Sequence, residues 1–497
     1  MDVLVFIICL LFTISFIIFI AKTLKGSYSN LPPGPRPLPL IGNLHQLGVA
    51  PHKSLAKLAQ THGSIMSLKL GQVTAIVISS ASAARLVLQK QDISFANRSV
   101  PDSMRAYGHD EVSVVWRPLS SEWRELKRIC ISEIFSNQKM ESCASLRQQK
   151  VDQLVRDVSQ SASLGKPVQI GEAAFKTMLS LISSMFLSVD VTHGDTEAAS
   201  EFKRSFASVM ELGGIPNLVD FFPWLKWIDP QRIKARMTAH FEKILKLVGS
   251  KIDERMEERA EQGSVSETRD VLDTLVNILL GNKEGVSRKE IEHLIMELLI
   301  AGTDTTSSTV EWAMSEVLRS PQTLCRAKAE LEQVSGKGVA IREKDLAYMP
   351  YLQAIIKETM RLHPVVPFLV PRTTLDQVEL SSFTIPRGAR IMINAWAIGR
   401  DPSTWDNPEC FEPERFLGSD VDFRGQNFEL IPFGGGRRMC PGISLGFKMA
   451  ALILGSLVNS FDWKLEGGMK TEDIDMDEKF GLSVQKIHPL CAIPVNI

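Results

Sequence analysis

Residues 433–442 read Phe-Gly-Gly-Gly-Arg-Arg-Met-Cys-Pro-Gly and form the most informative stretch of the chain. Their three consecutive glycines permit a backbone path that side chains would block. Cys440 stands just before an apolar run, 443–458, that predicts a buried helix. Because the start of a helix presents free amide groups and the positive end of the dipole, it stabilises a thiolate. A lone cysteine is more often an inert buried thiol, but the neighbouring Phe433, Arg438 and helix predict a soft metal ligand.

A second informative stretch is a long helical pattern that begins near Ser287 and ends before Pro321. Its first residues, Ser287-Arg-Lys-Glu290, form a capping box, in which two side chains satisfy free amide groups. A helix of this length is a rod of roughly 50 Å, long enough to cross a whole domain. The pattern therefore predicts one central helix.

The centre of that helix, residues 301–306, reads Ala-Gly-Thr-Asp-Thr-Thr. Glycine and threonine are poor helix formers, and threonine hydroxyls can bond to carbonyls of the previous turn, which predicts a local opening that admits water. Asp304 and Thr305 supply an acid and a hydroxyl, the parts of a proton relay. A solvated polar patch is the alternative, and the apolar run 298–300 disfavours it.

A third feature is the pair Glu358 and Arg361, three residues apart in a helix that ends at Pro364. The same spacing recurs at Glu125/Arg128, Glu201/Arg204, Glu316/Arg319 and Glu412/Arg415. Most such pairs are solvated and contribute little. The pair at 358 and 361 differs because apolar residues surround it, and Arg415 could supply the further hydrogen bonds that a buried pair needs.

The N-terminal residues Val3–Ala21 carry no charge and would span about 28 Å as a helix, close to the thickness of a bilayer core. A signal peptide would be shorter and a core helix would have a polar face. Lys22 and Lys25 follow, which places the rest of the chain on the cytosolic side. We therefore predict a transmembrane anchor over 1–22.

Residues 32–39 read PPGPRPLP, so we predict a basic, proline-rich hinge over 23–44 rather than an SH3 ligand. One domain should follow, over 45–497, because no second such linker divides it. Its patterns predict a mainly α fold with a small β region. The predicted strands are a hairpin, 65–70 with 73–79, further strands near 383–385 and 390–393, and one near the C-terminus.

Composition excludes several classes of protein. The chain has 497 residues, 44% apolar and 23% charged, which is ordinary globular usage. Its 56 basic and 57 acidic residues give a net charge of −1 and no reason to expect a nucleic acid as partner. The seven cysteines form no Cys-x-x-Cys pair, which argues against a zinc ribbon or a disulfide framework and favours a reducing compartment. They are Cys9, Cys130, Cys143, Cys325, Cys410, Cys440 and Cys491.

Together the cysteine loop, the central helix, the Glu-x-x-Arg pair, the segment 411–416 and the proline hinge resemble the microsomal cytochromes P-450, in that family's order and over essentially the whole chain. The resemblance implies a haem-thiolate monooxygenase with a b-type haem, whose iron is held by Cys440. It also implies that Asp304 and Thr305 deliver protons to oxygen at the iron. Three residues would form a structural triad behind the haem: Glu358, Arg361 and Arg415.

The resemblance further implies which residues contact the haem. These are Trp123, Lys127, Arg372, Phe433, Arg438 and Cys440. The family usually has arginine where this chain has Lys127, and lysine lacks the bidentate fork, so Arg128 is an alternative partner for a haem propionate.

No glycine fingerprint for a nicotinamide or flavin follows any predicted strand, so electrons must come from outside the chain. The resemblance implies an NADPH–cytochrome P-450 reductase as partner, O2 as co-substrate, and the endoplasmic reticulum membrane as location, with membrane lipid around the single-pass anchor and the catalytic domain in the cytosol. A basic surface could receive the reductase, with an ordinary solvated face as the alternative. It comprises Arg124, Lys127, Arg128 and Arg437.

By the same resemblance, a set of mostly apolar residues lines the substrate pocket, which suits a hydrophobic small molecule. They are Leu299, Ala301, Val365, Val366, Phe368, Leu369, Phe480 and Leu482, and core packing is the alternative for each. Stretches 301–316 and 394–402 are similar to plant terpenoid oxidases related to geraniol hydroxylase, which implies a terpenoid substrate. An alkaloid or phenolic substrate, an oxygen-independent isomerase or dehydratase, and a haem carrier without turnover remain open.

Overall fold

The computed structural model describes residues 30–192, 197–262, 270–281, 286–339 and 341–497, together with Ile7, Leu10, Thr13 and Ile14. The predicted anchor otherwise lies outside the described residues. The α-helices within these ranges are α1 (Pro51–His62), α2 (Ala81–Arg85), α3 (Asp92–Phe95), α4 (Ser121–Arg128), α5 (Asn137–Ser142), α6 (Ala144–Ser163), α7 (Ile170–Leu187), α8 (Glu197–Gly214), α9 (Ile233–Gln262), α10 (Val271–Leu280), α11 (Arg288–Arg319), α12 (Pro321–Ser335), α13 (Pro350–Leu362), α14 (Ala395–Ile398) and α15 (Ile443–Ser460).

Within the same described ranges, the strands are short and form four small sheets. They are β1 (Ile65–Leu70), β2 (Val73–Ile78), β3 (Asn97–Arg98), β4 (Val168–Gln169), β5 (Arg372–Thr373), β6 (Val378–Leu380), β7 (Phe383–Ile385), β8 (Arg390–Ile393), β9 (Phe461–Leu465), β10 (Glu478–Lys479), β11 (Gln485–Lys486) and β12 (Cys491–Asn496). The largest sheet has the order β1-β2-β8-β5-β3, and β4-β12-β9, β6-β7 and β10-β11 form the others. The prediction of a mainly helical fold with a small β region is therefore confirmed.

The β1–β2 hairpin forms where the sequence predicts it, with Ile65 opposite Ile78 and Leu70 opposite Val73. Gly71 sits in the turn with a φ of +58°, a conformation that favours glycine. In the same sheet, β3 pairs with β5 so that Arg98 lies opposite Arg372. This pairing brings two distant arginines together beside the functional site described below.

The long helix α11 is the centre of the core. The predicted capping box at Ser287 is confirmed, because its side chain accepts from the Glu290 amide and Glu290 accepts from the Ser287 amide. Most of α11 is buried, packed mainly against α7 and α15. Those two helices are also long and apolar enough to cross a membrane, but two thirds of each apolar window is buried inside the protein, as in a core helix.

The described part of the predicted hinge lies along the edge of β1. Ser67 donates its amide to the Pro33 carbonyl at 2.9 Å and its hydroxyl to the Pro32 carbonyl at 2.6 Å. A Cβ at Gly34 would lie 1.9 Å from the Ser67 carbonyl oxygen, so only glycine fits this approach. Residues 32–34 are thus packed against β1.

Candidate active site

In the glycine loop, Cys440 lies three residues before the first residue of α15. Its amide donates to the Phe433 carbonyl at 3.1 Å, which closes the loop. Gly436 has a φ of +67°, and a Cβ there would lie 2.0 Å from the Leu88 carbonyl oxygen. The sequence prediction that glycine is needed for this backbone path is therefore confirmed.

The Cys440 side chain is exposed although protein surrounds it, so it lines an internal space. Burial raises the pKa of this thiol, whereas the Gly442 amide and the Lys127 ammonium act in the opposite direction. The expected stabilisation of the thiolate by the helix start is present but does not outweigh burial. A bound metal cation would outweigh the effect of burial and lower the pKa of the thiol, since a coordinating thiol is deprotonated outright.

The middle of α11 faces an internal space as well. Ala301 is exposed and Thr305 half-buried, although the helix is buried on both sides of them. The Thr305 hydroxyl donates to the Ala301 carbonyl at 2.7 Å, and the Thr303 hydroxyl to the Leu299 carbonyl at 2.7 Å. The predicted back-bonding is confirmed, but the predicted opening is wrong: α11 stays continuous because the hydroxyls add bonds without breaking the helix.

Asp304 points away from Thr305, toward the C-terminal β10–β11 hairpin. Its carboxylate accepts from the Ser483 hydroxyl and, at 2.8 Å, from the Gln485 side-chain amide. The residue is 4% exposed, and burial raises its pKa. Sequence reasoning missed Ser483 and Gln485, because they lie about 180 residues away and form no motif with Asp304.

Two predicted haem contacts, Arg372 and Arg438, are both buried beside the glycine loop. Arg372 donates to the Asp92 carboxylate at 2.9 Å and to the Gly435 carbonyl at 3.0 Å. The Arg438 guanidinium lies 4.3 Å from the ring centre of Trp123, a cation–π contact. Burial and the nearby Arg372 lower the pKa of Arg438 to about 10.

A third arginine, Arg98, joins this cluster and was missed by sequence reasoning. Its pKa is lowered well below the usual range by burial and by the like charges of Arg372 and Arg438. In the sequence Arg98 lies outside every predicted strand and motif, so nothing there indicated this position. Among the described residues, Arg372 pairs with the Asp92 carboxylate, whereas Arg98 and Arg438 form no ion pair. The cluster therefore has excess positive charge and fits a ligand with two carboxylates, as haem has.

Lys127 and Arg128 take different positions. The Lys127 ammonium donates to the main-chain carbonyl of Met439, directly before the cysteine. Arg128 is exposed and pairs with Glu125 at 2.6 Å and with Glu133 at 3.4 Å. The structure thus places Lys127 against the cysteine loop and Arg128 on the outer surface.

Glu358, Arg361 and Arg415 meet in one buried cluster. Arg361 donates twice to the Glu358 carboxylate, both at 2.7 Å, and Arg415 donates to it at 3.0 Å. The Glu412 amide adds a fourth bond to this carboxylate, at 2.8 Å. Further contacts from Arg361 to main-chain carbonyls, including that of Pro408 at 2.7 Å, tie α13 to the segment before the glycine loop.

The predicted pocket residues divide into two groups. Six have side chains that are at least partly exposed: Ala301, Val365, Val366, Leu369, Phe480 and Leu482. Leu299 and Phe368 are buried in the core, and the Phe368 ring packs 6.0 Å from Phe480 and 6.4 Å from His52. Leu369 approaches the glycine loop, 3.7 Å from where a Cβ of Gly434 would lie. The pocket assignment of these residues stays a prediction.

A thiol and the middle of a long helix that each face an internal space, with a buried cationic cluster beside the thiol, fit the binding of haem through a cysteine thiolate. The profile of the cytochrome P-450 family matches residues 32–490, and the chain belongs to that family.

Known proteins of this family are similar over the full length. Geraniol 8-hydroxylase of Catharanthus roseus is 49% identical over 497 residues, which is 100% of both chains. Geraniol 8-hydroxylase of Swertia mussotii is 50% identical over 464 residues, 93% of both chains. Drimenol monooxygenase of Persicaria hydropiper is 44% identical over 497 residues, 100% of this chain and 98% of that one.

The family and these relatives confirm the prediction of a haem-thiolate monooxygenase, an oxidoreductase. The cofactor is haem held by a cysteine thiolate, and the reaction uses O2, a hydrophobic substrate and a redox partner. Cys440 is the cysteine of the glycine loop, and its assignment as the haem ligand stays a prediction.

Proposed function

We propose that this enzyme hydroxylates a terpenoid, with electrons from NADPH delivered by a cytochrome P-450 reductase. The similarity to geraniol 8-hydroxylases over at least 93% of the chain carries this proposal. The six partly exposed residues of the predicted pocket support it, because all are apolar and suit a hydrocarbon skeleton held largely by shape.

In the proposed site, each group of residues has a separate task. When bound, the haem supplies a thiolate-ligated iron at which dioxygen is activated. Cys440 provides the thiolate, and Arg98, Arg372 and Arg438 hold the two carboxylates. The Thr305 hydroxyl stands at the exposed turn of α11 and passes protons into the internal space, and the buried Asp304 supplies them once its carboxylate turns from Ser483 and Gln485 toward Thr305.

The test is a panel of monoterpenols, sesquiterpenols, phenolic ethers and alkaloids, each added to the purified holoenzyme. Geraniol or a related terpenol should shift the haem spin state on binding and should be hydroxylated in the presence of reductase, NADPH and O2. Turnover of phenolic ethers alone would overturn the terpenoid assignment. It would instead resemble the reaction of 7-ethoxycoumarin O-deethylase of Helianthus tuberosus, which is 48% identical over 473 residues.

The same assay separates the proposed reaction from the other classes. Product formation should require both NADPH and O2. Product formed without O2 would instead indicate an isomerase or dehydratase, and bound haem without any product would indicate a carrier.

Thr305→Ala should uncouple NADPH consumption from product formation, because it removes the hydroxyl that faces the internal space. A positioned proton donor typically contributes 10²–10⁴-fold, and since water partly replaces a hydroxyl we expect product per NADPH to fall about tenfold or more. Thr303→Ala is the matched control, since it removes the same kind of back-bond from a buried residue. Equal coupling in the two variants would contradict the relay.

We also place the enzyme on the endoplasmic reticulum membrane, with its catalytic domain in the cytosol. Beyond the predicted anchor, one face of the domain supports this, because Trp227 is 94% exposed and Trp224 59%. The exposed residues Leu40 and Ile41 lie near these tryptophans. The β1–β2 turn connects the two regions, because the Gly71 amide donates to the Ile41 carbonyl and the Gln72 amide donates to the carbonyl of Phe221, three residues before Trp224. Exposed tryptophans of this kind are typical of membrane interfaces.

Deleting residues 1–22 should weaken binding to phosphatidylcholine vesicles without loss of haem. Adding Trp224→Ser and Trp227→Ser to the deletion should remove the remaining binding, whereas Tyr348→Ser, an exposed aromatic elsewhere, should not. Binding that survives all three changes, or loss of haem on the deletion, would refute this account of membrane attachment.

For the reductase, we propose the surface of Arg124, Arg128 and Arg437, all exposed near the cysteine loop. Arg128 and Arg437 already pair with Glu125 and Asp92, so the attraction to an acidic partner rests most on Arg124. Electron transfer in Arg124→Gln should lose part of its dependence on salt; an unchanged dependence would contradict this docking face.

A further inference from the structure

A polar stripe on α11 leads toward the exposed turn at Ala301. Glu290, His293 and Glu297 follow one another at intervals of three and four residues, so they lie on one side of the helix. All three side chains are buried and all three contact one segment, residues 109–117, which we name the bridging segment.

Glu297 makes the densest set of these contacts. Its carboxylate accepts from the Ser113 hydroxyl and from the Val114 amide at 3.0 Å, and His109 Nε2 lies 3.2 Å from it. The other ring nitrogen of His109, Nδ1, shares a hydrogen bond of 2.9 Å with His293 Nδ1. Burial and the neighbouring His109 lower the pKa of His293 to about 3, so this partner is neutral.

The opposite edge of the bridging segment holds the haem-carboxylate cations. The Val114 carbonyl accepts from Trp123 Nε1 at 2.9 Å and from Arg438 at 3.3 Å. The Val115 carbonyl accepts from Arg98 Nε at 3.2 Å, and the Arg117 carbonyl accepts from Arg438. The bridging segment therefore donates hydrogen bonds to Glu297 of α11 and accepts hydrogen bonds, at its main-chain carbonyls, from the arginines of the cationic cluster.

The charges on either side of the bridging segment also link Glu297 to the arginine cluster. Arg98 and Arg438 form no ion pair among the described residues, and the charge of Arg438 lowers the pKa of Arg98. The Glu297 carboxylate raises the pKa of Arg438 and so favours its charged form from across the segment. A buried carboxylate close to excess positive charge offsets part of the free-energy cost of burying the arginine charges.

We propose that Glu297 is a positioning residue for haem binding, which acts through the bridging segment to fix the guanidiniums of Arg98 and Arg438 before the cofactor arrives. The proposal concerns the family's cofactor and does not depend on the substrate. Removing the charge of Glu297 should loosen the segment and accelerate loss of haem, whereas fold and ligand cysteine stay in place.

The test is the rate at which ferric holoenzyme transfers haem to excess apomyoglobin. Outer-shell partners of a metal site typically contribute 10- to 100-fold, and we expect Glu297→Gln to release haem about tenfold faster than the unaltered enzyme. Glu297→Asp, which keeps the charge, should recover part of that effect. Glu292→Gln is the matched control, because Glu292 lies on the same helix but pairs outward with Arg288.

Urea unfolding of each apoprotein separates positioning from general destabilisation. The proposal expects Glu297→Gln to alter haem transfer much more than the unfolding midpoint. Unchanged haem transfer, equal acceleration in Glu292→Gln, or acceleration fully matched by lost apoprotein stability would overturn it. Should Glu297→Gln fail to fold, Ser113→Ala removes a single donor to the same carboxylate and is subject to the same expectations.

Discussion

Replacing Cys440 by alanine is expected to abolish both the thiolate-type carbon monoxide spectrum and turnover. The side chain lines the internal space and is the sole thiol of the glycine loop, so its loss leaves the iron without its sulfur ligand. Because outer-shell partners alone contribute 10- to 100-fold, loss of the ligand itself should lower activity by more than about 100-fold.

Cys325→Ala provides the control, since Cys325 is also a free, exposed cysteine but lies on α12. It should keep the spectrum and the rate of the unaltered enzyme. If Cys440→Ala also kept them, Cys440 would not be the haem ligand. Circular dichroism of both apoproteins would show that the difference arises at the cofactor.

Glu358→Gln is expected to have the largest effect on stability. Glu358 is fully buried and, among the described residues, is the only carboxylate paired with Arg361, whose side chain is fully buried too. Removal of one partner from a buried pair leaves an uncompensated charge and costs about 3–5 kcal/mol. Since whole domains are stable by only about 5–15 kcal/mol, most of the variant should be recovered unfolded or without haem.

Glu125→Gln is the matched comparison, because Glu125 and Arg128 have the same three-residue spacing but lie at the surface. An exposed pair contributes about 0–1 kcal/mol, so urea unfolding should change little. Equal destabilisation in the two variants would show that burial is not what distinguishes the Glu358 cluster.

These two pairs show why local patterns predicted some features of this protein and not others. Glu-x-x-Arg occurs five times in the sequence, and the spacing alone could not tell the buried pair from the exposed ones. The capping box at Ser287 and the β1–β2 hairpin were predictable because their bonds join residues that are close in sequence. Back-bonding by Thr303 and Thr305 was predictable for the same reason.

Contacts between segments that are distant in sequence could not be predicted. Arg98 joins the cationic cluster only because β3 pairs with β5. Asp304 meets Ser483 and Gln485 only because the C-terminal hairpin folds back onto α11. Lys127 takes its place from α4 packing near the glycine loop, not from the identity of its neighbours. In each case the partner is chosen by tertiary packing, which leaves no periodic signal.

The C-terminal hairpin has a consequence for the divergence and engineering of this enzyme. Phe480 and Leu482, two residues predicted to contact substrate, lie in the same β10–β11 hairpin as Ser483 and Gln485, which hold Asp304. A substitution selected there for a new ligand would also disturb the acid's orientation. Libraries that diversify 480–485 should therefore be screened for hydrogen peroxide release as well as for product, since altered selectivity and wasted reducing equivalents would arise together.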